Sequence, residues 1–131
     1  MTGLDTSVVM RLVLGEPAEL AAAARAFFDE AIAPGGEPHL LADVVVAESY
    51  HSMRHHYDVP HDVAIAALTA LVTDHARVRA LGVAGEALAG ATETSPSLVD
   101  RMLHAEYALA GAVTATFDKA LARLPGTRLV G

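Results

Sequence analysis

Asp5, Glu48, Asp100 and Asp118 are the residues of this chain whose types and positions could do chemistry together. Asp5 follows the opening Met1-Thr2-Gly3-Leu4, and Asp118 follows Ala112-Val113-Thr114-Ala115-Thr116-Phe117. Each stretch reads as a short buried strand that delivers an Asp to its C-terminal end, the edge where open parallel sheets gather ligands. Clustered carboxylates repel one another unless a cation or protons neutralise them. A donor set made only of oxygen selects a hard ion, Mg²⁺ or Mn²⁺. Glu48 falls mid-way along a helix, with Val44, Val45, His51 and Ser52 as its neighbours at helical spacing. Asp100 opens a helix of its own. Taken singly, each carboxylate is as readily a cap, a partner of the helix dipole or a solvated charge.

The elements that must position these groups alternate. A first strand is expected over residues 1–5. Thr6 or Ser7 then caps a helix to about Leu14, stopped by Gly15-Glu16-Pro17. Pro17 suits the first turn of a second helix running through Ala33, and Pro34–Pro38 is a loop. A third helix spans about Leu41 to Tyr57, with Val46, Tyr50, Met53 and Tyr57 on one face. A fourth covers Val63 to about Thr73. Arg77–Gly82 reads as the second strand and Ala84–Ala91 as a short helix. Another helix starts at Ser95-Pro96 and ends near Gly111. Val113–Thr116 is the third strand, Lys119–Arg123 a helical turn, and Arg128–Val130 a last strand. Strands separated by helices imply a three-layer α/β/α sandwich around a central, mostly parallel sheet. The chain fits a single domain over residues 1–131.

Apolar residues make up 53% of the chain and aromatics only 5%, so Leu, Val and Ala must fill the core. There is no Cys, which excludes a disulfide scaffold, a thiolate zinc site and a cysteine nucleophile. No secretory signal opens the chain and no apolar run is long enough to span a bilayer, so a cytoplasmic location and no membrane contact are expected. The formal charge of −7 argues against a broad basic surface for nucleic acid.

Other residues offer less. His51 and His55 have a zinc-compatible i, i+4 spacing but lack the Glu of a zinc-protease helix. His55-His56-Tyr57-Asp58 and His61 suit a polar helix end and turn. His104 and Tyr107 share the side of Asp100, with His104 expected in solvent. Glu106 falls among Leu98, Met102, Leu109 and Ala110, a position that suits partial burial against an Arg. Asp43 points away from Glu48 and suits the first turn of its helix. No phosphate loop, dinucleotide fingerprint or nucleophile elbow is present.

Gly3-Leu4-Asp5-Thr6-Ser7-Val8-Val9 is similar to the first motif of PIN-domain nucleases. Ala42–Tyr50 resembles their second motif, which supplies a helical Glu. Ser97–Ala105 resembles the third, and Ala115-Thr116-Phe117-Asp118-Lys119 the closing one. The four occur in order over nearly the whole chain, and its size resembles that of the VapC-type toxins of toxin–antitoxin pairs. The resemblance implies a metal-dependent endoribonuclease. Asp5, Asp100 and Asp118 would hold one or two Mg²⁺ or Mn²⁺ ions, with Glu48 as ligand or orienting group. Ser7 stands where the family often has Asn and Thr116 at its usual Thr or Ser; both could position water or a ligand, or serve only as cap and turn bonds. The family favours small residues after the third acidic position, where this chain has Arg101, His104 and Tyr107.

Arg11, Arg101 and Lys119 follow the acidic motifs and could border a cleft for an RNA substrate. The apolar residues Val8, Val9, Leu12, Val13 and Leu14 exceed what one sheet contact needs, which points to a homodimer, with a cognate antitoxin bound elsewhere. Two other readings stay open: a PIN-like nuclease of RNA processing outside any toxin pair, and a non-catalytic module whose acidic pocket binds protein.

Overall fold

The computed structural model describes residues 1–131. Strands β1 (Gly3–Leu4), β2 (His39–Leu41) and β3 (Val78–Ala80) form a parallel sheet in that order, with Gly3 opposite Leu40 and Leu41 opposite Ala80. Strands β4 (Thr114–Thr116) and β5 (Thr127–Leu129) pair in parallel as a second piece, with Thr114 opposite Thr127. Six α-helices surround them: α1 (Thr6–Leu14), α2 (Ala18–Asp29), α3 (Asp43–His56), α4 (His61–Thr73), α5 (Ala84–Gly90) and α6 (Leu98–Leu109). Short 3-10 turns follow at Glu30–Ile32 and Leu121–Arg123. The α/β architecture with parallel strands agrees with the sequence reading. It differs in that β1 and β4 share no ladder, so the strands lie in two hydrogen-bonded pieces.

β2 is the element the sequence did not announce. Residues Pro34–Pro38 were expected as a loop leading directly to a helix at Leu41. His39 is instead buried in the central strand of the larger sheet. Its Nε2–H is shared between the carbonyls of Phe27 and Phe28 at 3.2 Å each, and its ring stacks on Phe27. The strand thereby supplies a further donor to carbonyls at the end of α2, which also accept from the Glu30 N–H.

The helices follow their apolar spacing. In α4, His61, Ala64, Leu68, Leu71 and Val72 are buried, a helical stripe. Val9, Val46, Met53, Leu68, Val78 and Leu98 are almost wholly enclosed. With few aromatics available, Ala84 and Ala87 let α5 approach its neighbours closely. Val8, Leu12, Val13 and Leu14 pack against this core while staying only partly buried, so the apolar surplus expected on α1 is covered in part within the chain. His61, expected on a polar turn, is buried. Its Nε2–H donates to the Ala91 carbonyl at 2.8 Å, which leaves Nδ1 to accept the Tyr50 hydroxyl at 2.6 Å. No helix is long and apolar enough to cross a membrane.

Candidate active site

Asp5 leaves β1 and caps α1. Its Oδ1 accepts the backbone N–H of Ser7 at 2.5 Å. The cap is therefore Asp5 itself rather than Thr6 or Ser7, and the helix closes at Gly15 with φ near 70°, a conformation suited to glycine. The second carboxylate oxygen of Asp5 has no partner in the fold. Asp118 repeats the arrangement after β4. Its Oδ1 accepts from Ala120 N–H at 2.7 Å and Leu121 N–H at 3.4 Å, while its own N–H donates to the Thr116 hydroxyl at 2.9 Å. Thr116 thus braces the turn that presents Asp118.

Asp100 sits in the first turn of α6, but Ser97 is the cap: its Oγ accepts the Asp100 N–H at 3.1 Å. The Asp100 carboxylate, half-buried, makes no hydrogen bond or ion pair. Glu48 is exposed on α3 and likewise unengaged. The ion pairs of the fold use Glu37, Asp29 and Asp74, never these four.

Asp43 shows what an acidic residue at this edge looks like when the fold consumes it. Both of its oxygens accept from Val83 N–H, at 3.1 and 3.0 Å, and Oδ1 also accepts from Ala84 N–H at 3.0 Å. A Cβ at position 82 would collide with this carboxylate, so Gly82 is required there. Asp43 serves α5 as well as its own helix, a long-range role that sequence spacing could not reveal.

The elements that carry the four acidic residues pack in succession: α1 on α3, α3 on α6, and α6 on β4. The last of these contacts is tied by His104. Its Nε2–H donates to the Pro125 carbonyl at 2.7 Å, so Nδ1 accepts the Thr114 hydroxyl, also at 2.7 Å. His104 is a half-buried staple, not the solvated side chain expected. Arg123 adds a bond of 3.3 Å to the Ser95 carbonyl. Glu106, expected against an Arg, is exposed and in no ion pair.

No three carboxylate or imidazole side chains approach closely enough to hold a metal ion. The four acidic groups are carried on contiguous elements but are not closed into one ligand set. His51 and His55, with ring centroids 4.5 Å apart, form an exposed pair and no more. As a donor set, Asp5, Glu48, Asp100 and Asp118 still fit a hard cation, because each keeps at least one carboxylate oxygen out of the hydrogen-bond network.

The cationic residues divide. Arg101 donates through Nε to the Pro96 carbonyl at 3.0 Å, and its guanidinium lies near Gly90 of α5. Arg77 is engaged with Asp29 and Asp74. Its hydrogen bond to Asp29, with the charge of both carboxylates, raises the guanidinium pKa above its ordinary value. Lys119 is exposed and unpaired. Arg11 and Ser7 line a cleft of about 330 Å³ between α1 and α2, together with Val8, Leu20, Ala23 and Phe27.

The sequence profile of the PIN domain matches residues 4–126, almost the whole chain. The chain belongs to the PIN domain family. PIN domains are generally nucleases, hydrolases acting on nucleic acids, so this is a nuclease-type module. No curated protein and no solved structure is significantly similar to it.

Proposed function

We propose that this PIN domain is a divalent-metal-dependent endoribonuclease and the toxin of a toxin–antitoxin pair. The observation that carries the proposal is that the fold leaves the carboxylates of Asp100 and Glu48, and one oxygen each of Asp5 and Asp118, without partners on contiguous elements. Asp5, Asp100 and Asp118 would hold Mg²⁺ or Mn²⁺, with Glu48 as a further ligand or as the group that orients one. The bound ion would promote ionisation of water and stabilise charge developing on the phosphate. Hydrolysis breaks the bond from phosphorus to the 3′-oxygen.

The chain's own part is to position. The caps at Ser7 N–H and at Ala120 N–H fix the Asp5 and Asp118 carboxyls to their turns and leave one oxygen of each without a partner. The Thr116 hydroxyl braces the second turn and the Ser7 hydroxyl stands beside the first. Lys119 is suited to a substrate phosphate, and Arg11 to the rim of the neighbouring cleft. Arg101 is the weaker candidate of the three, because its Nε is committed to Pro96. With a net charge of −7, few phosphates can be neutralised, so affinity should be modest and confined to an unpaired RNA segment. A two-fold homodimer through the apolar side of α1, with the antitoxin bound elsewhere, belongs to the same proposal.

One observation favours a second reading, a non-catalytic module that binds protein: no three acidic or imidazole groups are near enough to share an ion. RNA cleavage separates the two. The endoribonuclease reading expects Mn²⁺-dependent cleavage of an unpaired RNA that stops in excess chelator. Absence of cleavage at any divalent-ion concentration favours the binding module.

A further inference from the structure

Phe117 is the most exposed large apolar side chain of the protein, at 79%. The other two phenylalanines are packed: Phe27 and Phe28 both stack with His39. A buried phenyl ring is among the larger hydrophobic contributions a core can gain, so an outward Phe forgoes that stabilisation. Nor does it hang on a loose loop. On one side Thr116 accepts from Asp118 N–H at 2.9 Å and its carbonyl accepts from Val130 N–H at 2.8 Å. On the other, Asp118 Oδ1 holds Ala120 N–H at 2.7 Å. The ring is thus presented to solvent by a braced turn, between Thr116 and the acidic Asp118, with the unpaired cation Lys119 next in the chain.

We infer that Phe117 is a stacking platform for an unpaired base of the nucleic-acid substrate. It would seat the base while Asp118 faces the reacting phosphate and Lys119 an adjoining one. The inference rests on the nuclease reading and adds the means of substrate capture. An aromatic face takes any base, and stacking needs no phosphate neutralisation, so it suits a domain with a strong acidic excess. It also selects against duplex, whose bases are already stacked.

The chain contains no Trp, so Phe117→Trp introduces a single indole reporter. The probe is an unpaired oligoribonucleotide with Ca²⁺ as the divalent ion, compared with an abasic oligomer of equal phosphate count. The platform predicts saturable quenching of the indole by the first oligomer and none by the second. Phe117→Ala should weaken binding roughly tenfold or more, Phe117→Leu similarly, and Phe117→Tyr little. If the oligomer binds F117A as tightly as wild type and leaves the indole of F117W unquenched, the platform is wrong and the nuclease reading stands. If no oligomer binds wild type, the nucleic-acid reading itself fails. An indole signal that follows protein concentration without oligomer, with self-association lost in F117A, assigns the ring to an interface between copies and overturns the inference.

Discussion

His104 and Thr114 are joined by a 2.7 Å hydrogen bond that ties the helix carrying Asp100 to the strand leading to Asp118. Because β1 and β4 share no ladder, this side-chain bond and its companion to the Pro125 carbonyl do work that a continuous sheet would do through its backbone. Their loss should be felt at the site as well as in stability. His104→Ala leaves the buried Thr114 hydroxyl without its partner and should cost about 1–3 kcal/mol. Urea unfolding measures the loss, and amide exchange should show β4 and β5 opening before the larger sheet. Uniform protection of both pieces in the variant would contradict the staple.

Asp43 and Asp100 are both acidic residues in first turns of helices, yet they should answer substitution oppositely. Asp43 accepts three backbone hydrogen bonds around Val83 and Ala84, so Asp43→Ala should cost about 1–3 kcal/mol. Gly82→Ala, which forces a methyl into that carboxylate, should cost a similar amount, about 1–3 kcal/mol. Asp100→Asn and Glu48→Gln remove no hydrogen bond of the fold and should unfold within about 0.5 kcal/mol of wild type. Denaturant midpoints for the four variants check the division. Equal destabilisation across them would mean that the fold does use Asp100 and Glu48.

Ser49 is fully buried and its hydroxyl has no hydrogen-bond partner. Burying such a group unpaired costs about 1–3 kcal/mol, so Ser49→Ala should be neutral or stabilising by up to about 1 kcal/mol. A rise in the thermal midpoint without loss of fold is the expected result. Destabilisation by more than a kilocalorie would show that the hydroxyl is satisfied in solution.

The helices and the strand-ending acids were legible because they rest on local signals: apolar spacing, Gly15 as a stop, and an Asp directly after each of two short apolar runs. What escaped depended on distant partners. β2 is three residues long and begins with His39, too short and too polar to show a period, and its burial is made possible by the carbonyls of Phe27 and Phe28. His61 and His104 read as solvated because imidazole is usually so. Each is held by one carbonyl and one hydroxyl from other elements, at sequence separations no spacing rule covers. The Asp43 carboxylate found its donors forty residues along the chain. The site lies between these cases. The proposed residues were named from the motifs, and α1, α3, α6 and β4, which carry or adjoin them, pack in succession. Whether side chains on such distant segments share one ligand set is decided by side-chain positions that the sequence does not encode locally, and no three of them come close enough in the fold.

Divalent-ion binding by these carboxylates is most cleanly tested at Asp100, whose side chain carries no structural bond. The measurement is a calorimetric Mn²⁺ titration of wild type and Asp100→Asn. Saturable binding by wild type is expected, with its loss in a variant that unfolds like wild type. Binding by Asp100→Asn indistinguishable from wild type, or no binding by either, would contradict it.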